Sequence, residues 1–280
     1  MDKRTVLPIV ISILLSAALV GWAFNEVSQP SVSRTAGNET GDRGSNAAIV
    51  LPIGDIGPVL AKNGAIDARQ WEKFYAGRPE AQGFVTMSRE ELTVTEETAD
   101  VVLNLLWAFG LANRNPVLTE GPMMDPEYGG AGGFASTGGW TLAEGSAMRH
   151  YGAHAMISLS SEQQDRVERV ARNIYRPCCN NPTHFPDCNH GMAMLGLLEL
   201  MAARNVEEQE MYRVALAVNS AWFPDQYETL SRYFAEQGTA WDAVDAKIIL
   251  SRSYSSASGY KRVLSDVKPP TRSSGGGCSI

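Results

Sequence analysis

Between Arg176 and Ala193 the chain reads RPCCNNPTHFPDCNHGMA, a stretch that gathers three of its four cysteines and two of its four histidines. Cys178, Cys179, Cys188 and His190 stand there in the order C-C-x8-C-x-H. Three thiolates and an imidazole form the ligand set of a four-coordinate soft-metal site, so copper or zinc is the expected cofactor. Further candidate donors are His184 inside the loop, Met192 and Met194 just after it, and Cys278 far along the chain, close to the C-terminus. Cys278 could swing back as an extra ligand or a resolving thiol, or be a free terminal cysteine. His150 and His154, flanked by Met148 and Met156, lie one helical turn apart and form a candidate second site or an extension of the first. Ordinary polar packing competes with that reading, because the Glu of H-E-x-x-H is absent and Gly152 interrupts the segment.

Two other readings of the cysteines stay open. In an oxidising compartment they suit one structural disulfide plus a spare. With Cys188 at a helix N-terminus and Cys178 or Cys179 resolving it, they also suit a thiol–disulfide oxidoreductase. A Cys178–Cys179 disulfide would close a strained ring, so a longer bond to Cys188 or shared metal ligation is easier to build. No C-x-x-C and no thioredoxin-like βαβ pattern is present.

Positioning such a site takes two helices and a bend. Ser160-x-x-Gln163 and Ser161-x-x-Gln164 both read as capping boxes, and the helix they open puts Val167, Val170, Ala171 and Ile174 on one face before Pro177. The loop 180–187 is rich in Asn and Pro and can fold its ends together. After it, Met194, Leu195, Leu197, Leu198, Leu200 and Met201 predict an apolar helix with Asp187 or Asn189 as its N-cap. Cys188 and His190 then sit at the helix start, where unpaired N–H groups favour a thiolate by about 1 kcal/mol.

The rest of the chain reads as a single helical domain with little or no sheet, at 47–267, behind an N-terminal membrane segment. Residues 5–24 carry no charge and are long enough to span ~30 Å of hydrocarbon. Lys3 and Arg4 precede that run and Arg34 is the next basic residue, so residues 1–4 are expected in the cytoplasm and the main domain outside, on a single-pass anchor in the cell membrane. Cleavage after Gly21-Trp22-Ala23 is the competing account, disfavoured because the apolar run exceeds a signal-peptide core. Residues 25–46 read as a flexible linker and 268–280 as a flexible Gly/Ser/Cys tail. Ala48–Ile53 suits a short strand, confined to an edge by Pro52. Asp67 caps a short helix whose aromatics Trp71, Phe74 and Tyr75 are expected in the core. Thr93-x-x-Glu96 reads as a capping box for a helix carrying Val101, Val102, Leu105, Leu106 and Phe109. Three more helices are expected at 207–222, 224–237 and 239–252.

Composition narrows the function. A net charge of -7 with no Lys/Arg-rich run leaves nothing to neutralise phosphates, which argues against a nucleic-acid partner. Gly130, Gly132 and Ala135 match a degenerate dinucleotide pattern, but no strand precedes them, so no nucleotide is expected. Covalent haem is unlooked for because C-x-x-C-H is missing. No Ser/His/Asp order, H-E-x-x-H or convincing pair of carboxylates suggests an enzyme.

The Pro-Cys-Cys and Pro-Asp-Cys-Asn-His-Gly segments resemble the PCYCGC-motif proteins, exported and membrane-attached bacterial proteins of uncharacterised function. Pro177, Cys178 and Cys179 echo the opening of that motif, while the later cysteines are spaced differently. The whole segment, with Leu106–Asn113 and Ser136–Leu142, is similar to uncharacterised envelope protein families, a resemblance that implies no activity. The expected protein therefore binds, transfers or senses copper or zinc outside the membrane, exchanging the ion with a donor or acceptor protein.

Overall fold

Helix accounts for 56% and strand for 5%, so the protein is mainly α, as the apolar spacing predicts. The structure, a computed structural model, describes residues 31–32 and 49–269. The expected membrane segment, most of the linker, nearly all of the tail and Cys278 lie outside the described residues. Among the described residues no helix is long and apolar enough to cross a membrane.

A small antiparallel sheet was not expected in this form. It runs β1 (Ser31–Val32), β2 (Ile49–Pro52), β3 (Glu91–Val94) in that order, with Ile49 opposite Val94 and Pro52 opposite Glu91. Pro52 is tolerated in the middle strand because β1 pairs only with Ile49 and Val50, leaving the proline one neighbour. In β3 Leu92 and Val94 are buried while Glu91 and Thr93 are exposed, a two-residue period that overrides the capping-box reading of Thr93. The helix starts later, at Ala99, and the Thr98 hydroxyl instead donates to Thr93 O.

Helices α1 (Ile56–Asn63) and α2 (Ala68–Phe74) follow β2, and Asp67 caps α2 by accepting from the Arg69 and Gln70 N–H groups at 2.9 and 3.2 Å. Trp71 and Tyr75 enter the core, whereas Phe74 is 46% exposed, stacked edge-on against Tyr75. Then come α3 (Ala99–Ala112), α4 (Ser161–Ala171), α5 (Asn189–Ala203), α6 (Glu208–Trp222) and α7 (Pro224–Glu236). The helix expected over 239–252 breaks into short turns because Asp245 caps a new start at Ala246. Ser256 opens α8 (Ala257–Val263) in the same way.

The frame is the crossing of α3 and α5. Every residue of α3 except Asp100 and Leu103, and every residue of α5 except Ala203, is buried. Such helices have no solvent face and must lie against each other. They meet at Gly110 and Gly196: a Cβ on Gly196 would stand 2.7 Å from Leu106 O, and one on Gly110 would run into Met192 O. Both obstacles are backbone, which cannot rotate away. Gly110→Ala is expected to lower stability by about 1–3 kcal/mol through overpacking, read as a shift in the urea midpoint, whereas Gly129→Ala, with nothing within 4 Å of its Cβ, should show only local backbone strain.

Candidate metal centre

The buried crossing fixes the start of α5, and the loop 172–188 is sewn onto it from both sides. Thr183 N–H donates to Ile174 O at 2.8 Å and His184 N–H to Ala171 O at 3.1 Å, so the Pro182 bend returns to the end of α4. Ser136 N–H reaches Asp187 O at 3.1 Å from the glycine-rich segment. On the other side Ala257 N–H, at the start of α8, donates to Cys179 O at 2.9 Å, and Ser258 N–H to Asn180 Oδ1 at 2.9 Å.

This brings the expected sulfurs together. Cys188 Sγ lies 3.8 Å from Cys178 Sγ and 3.9 Å from Cys179 Sγ, and all three sulfurs are within 4.8 Å of one another. Each of the three cysteines is partly exposed. Around an ion with metal–sulfur bonds of about 2.3 Å, sulfurs stand about 3.8 Å apart in a tetrahedral arrangement and about 4.0 Å in a trigonal one. The three cysteines could hold a metal ion.

His190 is not in that group. The N-cap of α5 is neither Asp187 nor Asn189 but Cys188, whose sulfur accepts from Gly191 N–H at 3.4 Å. Two residues along a helix turn about 200°, so His190 faces away from the sulfur cluster. Its ring packs 4.4 Å from Phe223 and 5.6 Å from Trp222, and its Nδ1 is buried without a hydrogen-bond partner.

A residue to which the sequence reading assigned no role sits at the centre. The Arg176 side chain is wholly buried. Nη2 donates to Cys179 Sγ at 3.2 Å and Cys188 Sγ at 3.5 Å, and Nη1 to Thr183 Oγ1 at 3.2 Å. Asp187 Oδ1 is 3.6 Å from Nη2, while Asp187 Oδ2 accepts from Asn181 Nδ2 at 2.8 Å. Gly191 makes the room, since a Cβ there would stand 2.6 Å from Nη2. Burial alone would weaken the guanidinium's hold on its proton, but the nearby sulfurs of Cys188, Cys179 and Cys178 more than compensate.

The cluster shares its negative charge unevenly. Hydrogen bonds from Cys178 and Cys179, with Arg176 and His190 adding to them, hold the Cys188 thiol well below the usual range despite burial. The Cys179 thiol is drawn down by its hydrogen bond with Cys178, yet the bond to Cys188 and burial outweigh this and push it up. Burial raises the Asp187 carboxyl, against the pull of Asn181 and Arg176. Cys188 is therefore the more acidic of these two thiols.

The remaining expected donors go elsewhere. Met192 and Met194 are fully buried in α5 as core. His184 is buried with Nε2 3.8 Å from Glu168, bordering an open hollow with Glu120, Met124 and Asp125. His150 and His154 do meet, Nδ1 to Nε2 at 3.0 Å, but not on a helix: the segment is a 3-10 turn followed by a loop tied to the end of α3, with His154 N–H on Ala112 O at 2.9 Å. Their nitrogens bond to each other, and His150 Nε2 meets Glu144 O at 3.1 Å. Met156 Sδ accepts from Asn63 and Met148 is 42% exposed. No signal in the sequence marks Arg176, because a single arginine before Pro-Cys-Cys is indistinguishable there from a solvated charge.

No protein-family model, curated protein or solved structure matches the chain, so its chemistry is read from its own residues: three sulfurs around the start of one buried helix, facing a buried guanidinium.

Proposed function

We propose that the protein binds a soft metal ion, copper(I) or zinc, through Cys178, Cys179 and Cys188, in a domain held outside the cell membrane by its N-terminal segment. The separation of the sulfurs, 3.8 and 3.9 Å, supports this most directly. Three thiolates around zinc leave one negative charge, which Arg176 offsets, and a fourth position that solvent can fill on the exposed side. Copper(I) is satisfied by the three sulfurs alone and leaves a second negative charge, which partial exposure makes tolerable. An accessible site with few protein ligands suits binding and handing on of an ion, to a donor or acceptor protein, better than a closed structural role. The charge pattern around residues 5–24 supports the membrane-bound, extracytoplasmic placement.

Anaerobic reconstitution of the full chain with copper(I) or zinc, followed by elemental analysis, tests the reading. One ion per chain is expected, with Cys188→Ser weakening binding at least about 100-fold; serine keeps an N-cap acceptor for α5, and circular dichroism checks the fold. Failure of both ions to bind the reduced wild-type protein overturns it.

A further inference from the structure

We infer that the three cysteines, when free of metal, carry out thiol–disulfide exchange with small or exposed disulfides, Cys188 attacking and Cys178 or Cys179 resolving. The activity needs no ion and stands apart from the metal reading. Cys188 is the sulfur common to both short separations, 3.8 Å to Cys178 and 3.9 Å to Cys179. Either separation has to shorten by about 1.8 Å to reach the ~2.05 Å of a disulfide. Two resolving sulfurs thus stand ready at one distance. The buried guanidinium of Arg176, 3.5 Å from Cys188, and the Gly191 N–H at the first turn of α5 both direct positive charge at that sulfur. Such an environment stabilises sulfur as a nucleophile on the way in and as a leaving group on the way out. Placing two sulfurs at a helix N-terminus is what C-x-x-C does locally; here a bend in the loop does it across ten residues. All three cysteines are partly exposed, with the Cys188 sulfur the most enclosed, so the disulfide that reaches it must be small or protruding.

The Cys188 thiolate attacks one sulfur of R–S–S–R, forming a mixed disulfide and expelling one R–S⁻. Cys178 or Cys179 then gives its proton to solvent, and its thiolate attacks the Cys188 sulfur. The protein disulfide closes and the second R–S⁻ leaves. Two protein sulfurs are oxidised, and the substrate disulfide is reduced to two thiols once its thiolates take up protons.

The test uses the reduced, metal-free full chain with glutathione disulfide as the probe. Two glutathiones should be released per chain, and peptide mapping should place the new bond at Cys188 with Cys178 or Cys179. The rate at neutral pH should exceed that of free cysteine by at least about tenfold. In a Cys178→Ser/Cys179→Ser double variant the reaction should stop with glutathione on Cys188. Cys188→Ser, its fold checked by circular dichroism, should lose the rate advantage. A wild-type rate no faster than free cysteine, glutathione first attached to Cys178 or Cys179, or a folded Cys188→Ser chain reacting at full speed each overturns the inference. Should Cys188→Ser fail to fold, the position of glutathione in the double variant decides. None of these results depends on whether copper or zinc binds, which the elemental analysis reads separately.

Discussion

Arg176→Met is expected to destabilise the protein by about 3–5 kcal/mol, the usual penalty for removing one partner from a buried charged network. Methionine fills similar space with no donors. Thr183 Oγ1 and the sulfurs of Cys179 and Cys188 lose the hydrogen bonds from the guanidinium, and Asp187 loses its nearby cation. The second readout separates electrostatics from packing. With Arg176 gone, the Cys188 thiol should titrate nearer its ordinary value, visible in thiolate absorbance against pH. The sign for stability follows from the direction of that shift. A thiol more acidic in the folded state than in the unfolded chain contributes stability above the ordinary thiol range, about pH 8.5, and loses it as pH falls through the folded value. The variant should lose the share of that pH dependence that Arg176 supplies, while the bonds from Cys178 and Cys179 keep the rest. Arg176→Lys should fall between, since one ammonium cannot span two sulfurs and a hydroxyl as a planar fork does. If Arg176→Met loses stability but leaves the thiol titration untouched, the guanidinium is a packing group and its electrostatic role at the sulfurs is wrong.

Replacing Glu199 with glutamine should change stability by an amount that grows with pH. Glu199 is wholly buried in the middle of α5; Oε2 accepts from Asn113 Nδ2 at 2.6 Å and Oε1 has no partner. Burial raises its pKa well above the carboxylate range, although the neighbouring amides of Asn113 and Asn115 pull the other way. The folded protein therefore holds a proton that the unfolded chain gives up above about pH 4.3. Stability is full below that value and falls as pH rises through the folded pKa, by about 1.4 kcal/mol for each pH unit between the two. A glutamine carries no such proton. The stability of Glu199→Gln relative to wild type should thus climb as pH rises from about 4 towards neutrality. Urea denaturation at a series of pH values measures this directly, and a difference that stays flat would show that Glu199 is ionised in the folded protein. The same carboxyl bonds to Asn113, whose Oδ1 accepts from the Met156 and Ile157 N–H groups, so the exchange also probes what ties the His150–His154 loop to α3.

Much of this was readable one segment at a time. Ser160 and Gln163 form the capping box their spacing predicts, and Asp67 caps α2, because a cap needs only residues three apart. The faces of α4, α6 and α7 follow from apolar periodicity for the same reason. Sequence pattern and structure part where two local signals compete. Leu92 and Val94 alternate as a strand inside what looked like a helix start, and Asp245 and Ser256 restart chains of turns where one long helix was expected.

For the site, the type and spacing of Cys178, Cys179 and Cys188, with prolines between them, were enough to predict that three sulfurs would converge. A tight bend is a local property of the chain. Three-dimensional packing alone decided the rest. Whether Asp187, Cys188 or Asn189 caps α5 is a difference of one residue, or about 100° of rotation, and it turns His190 from the cluster towards Trp222 and Phe223. That Arg176 is the group facing the sulfurs depends on α5 offering a glycine at 191, on Thr183 folding back to Ile174, and on the burial of all three. A long charged side chain has no local rule for where its end goes; only the assembled fold, which excludes water from around it, gives it a single partner set.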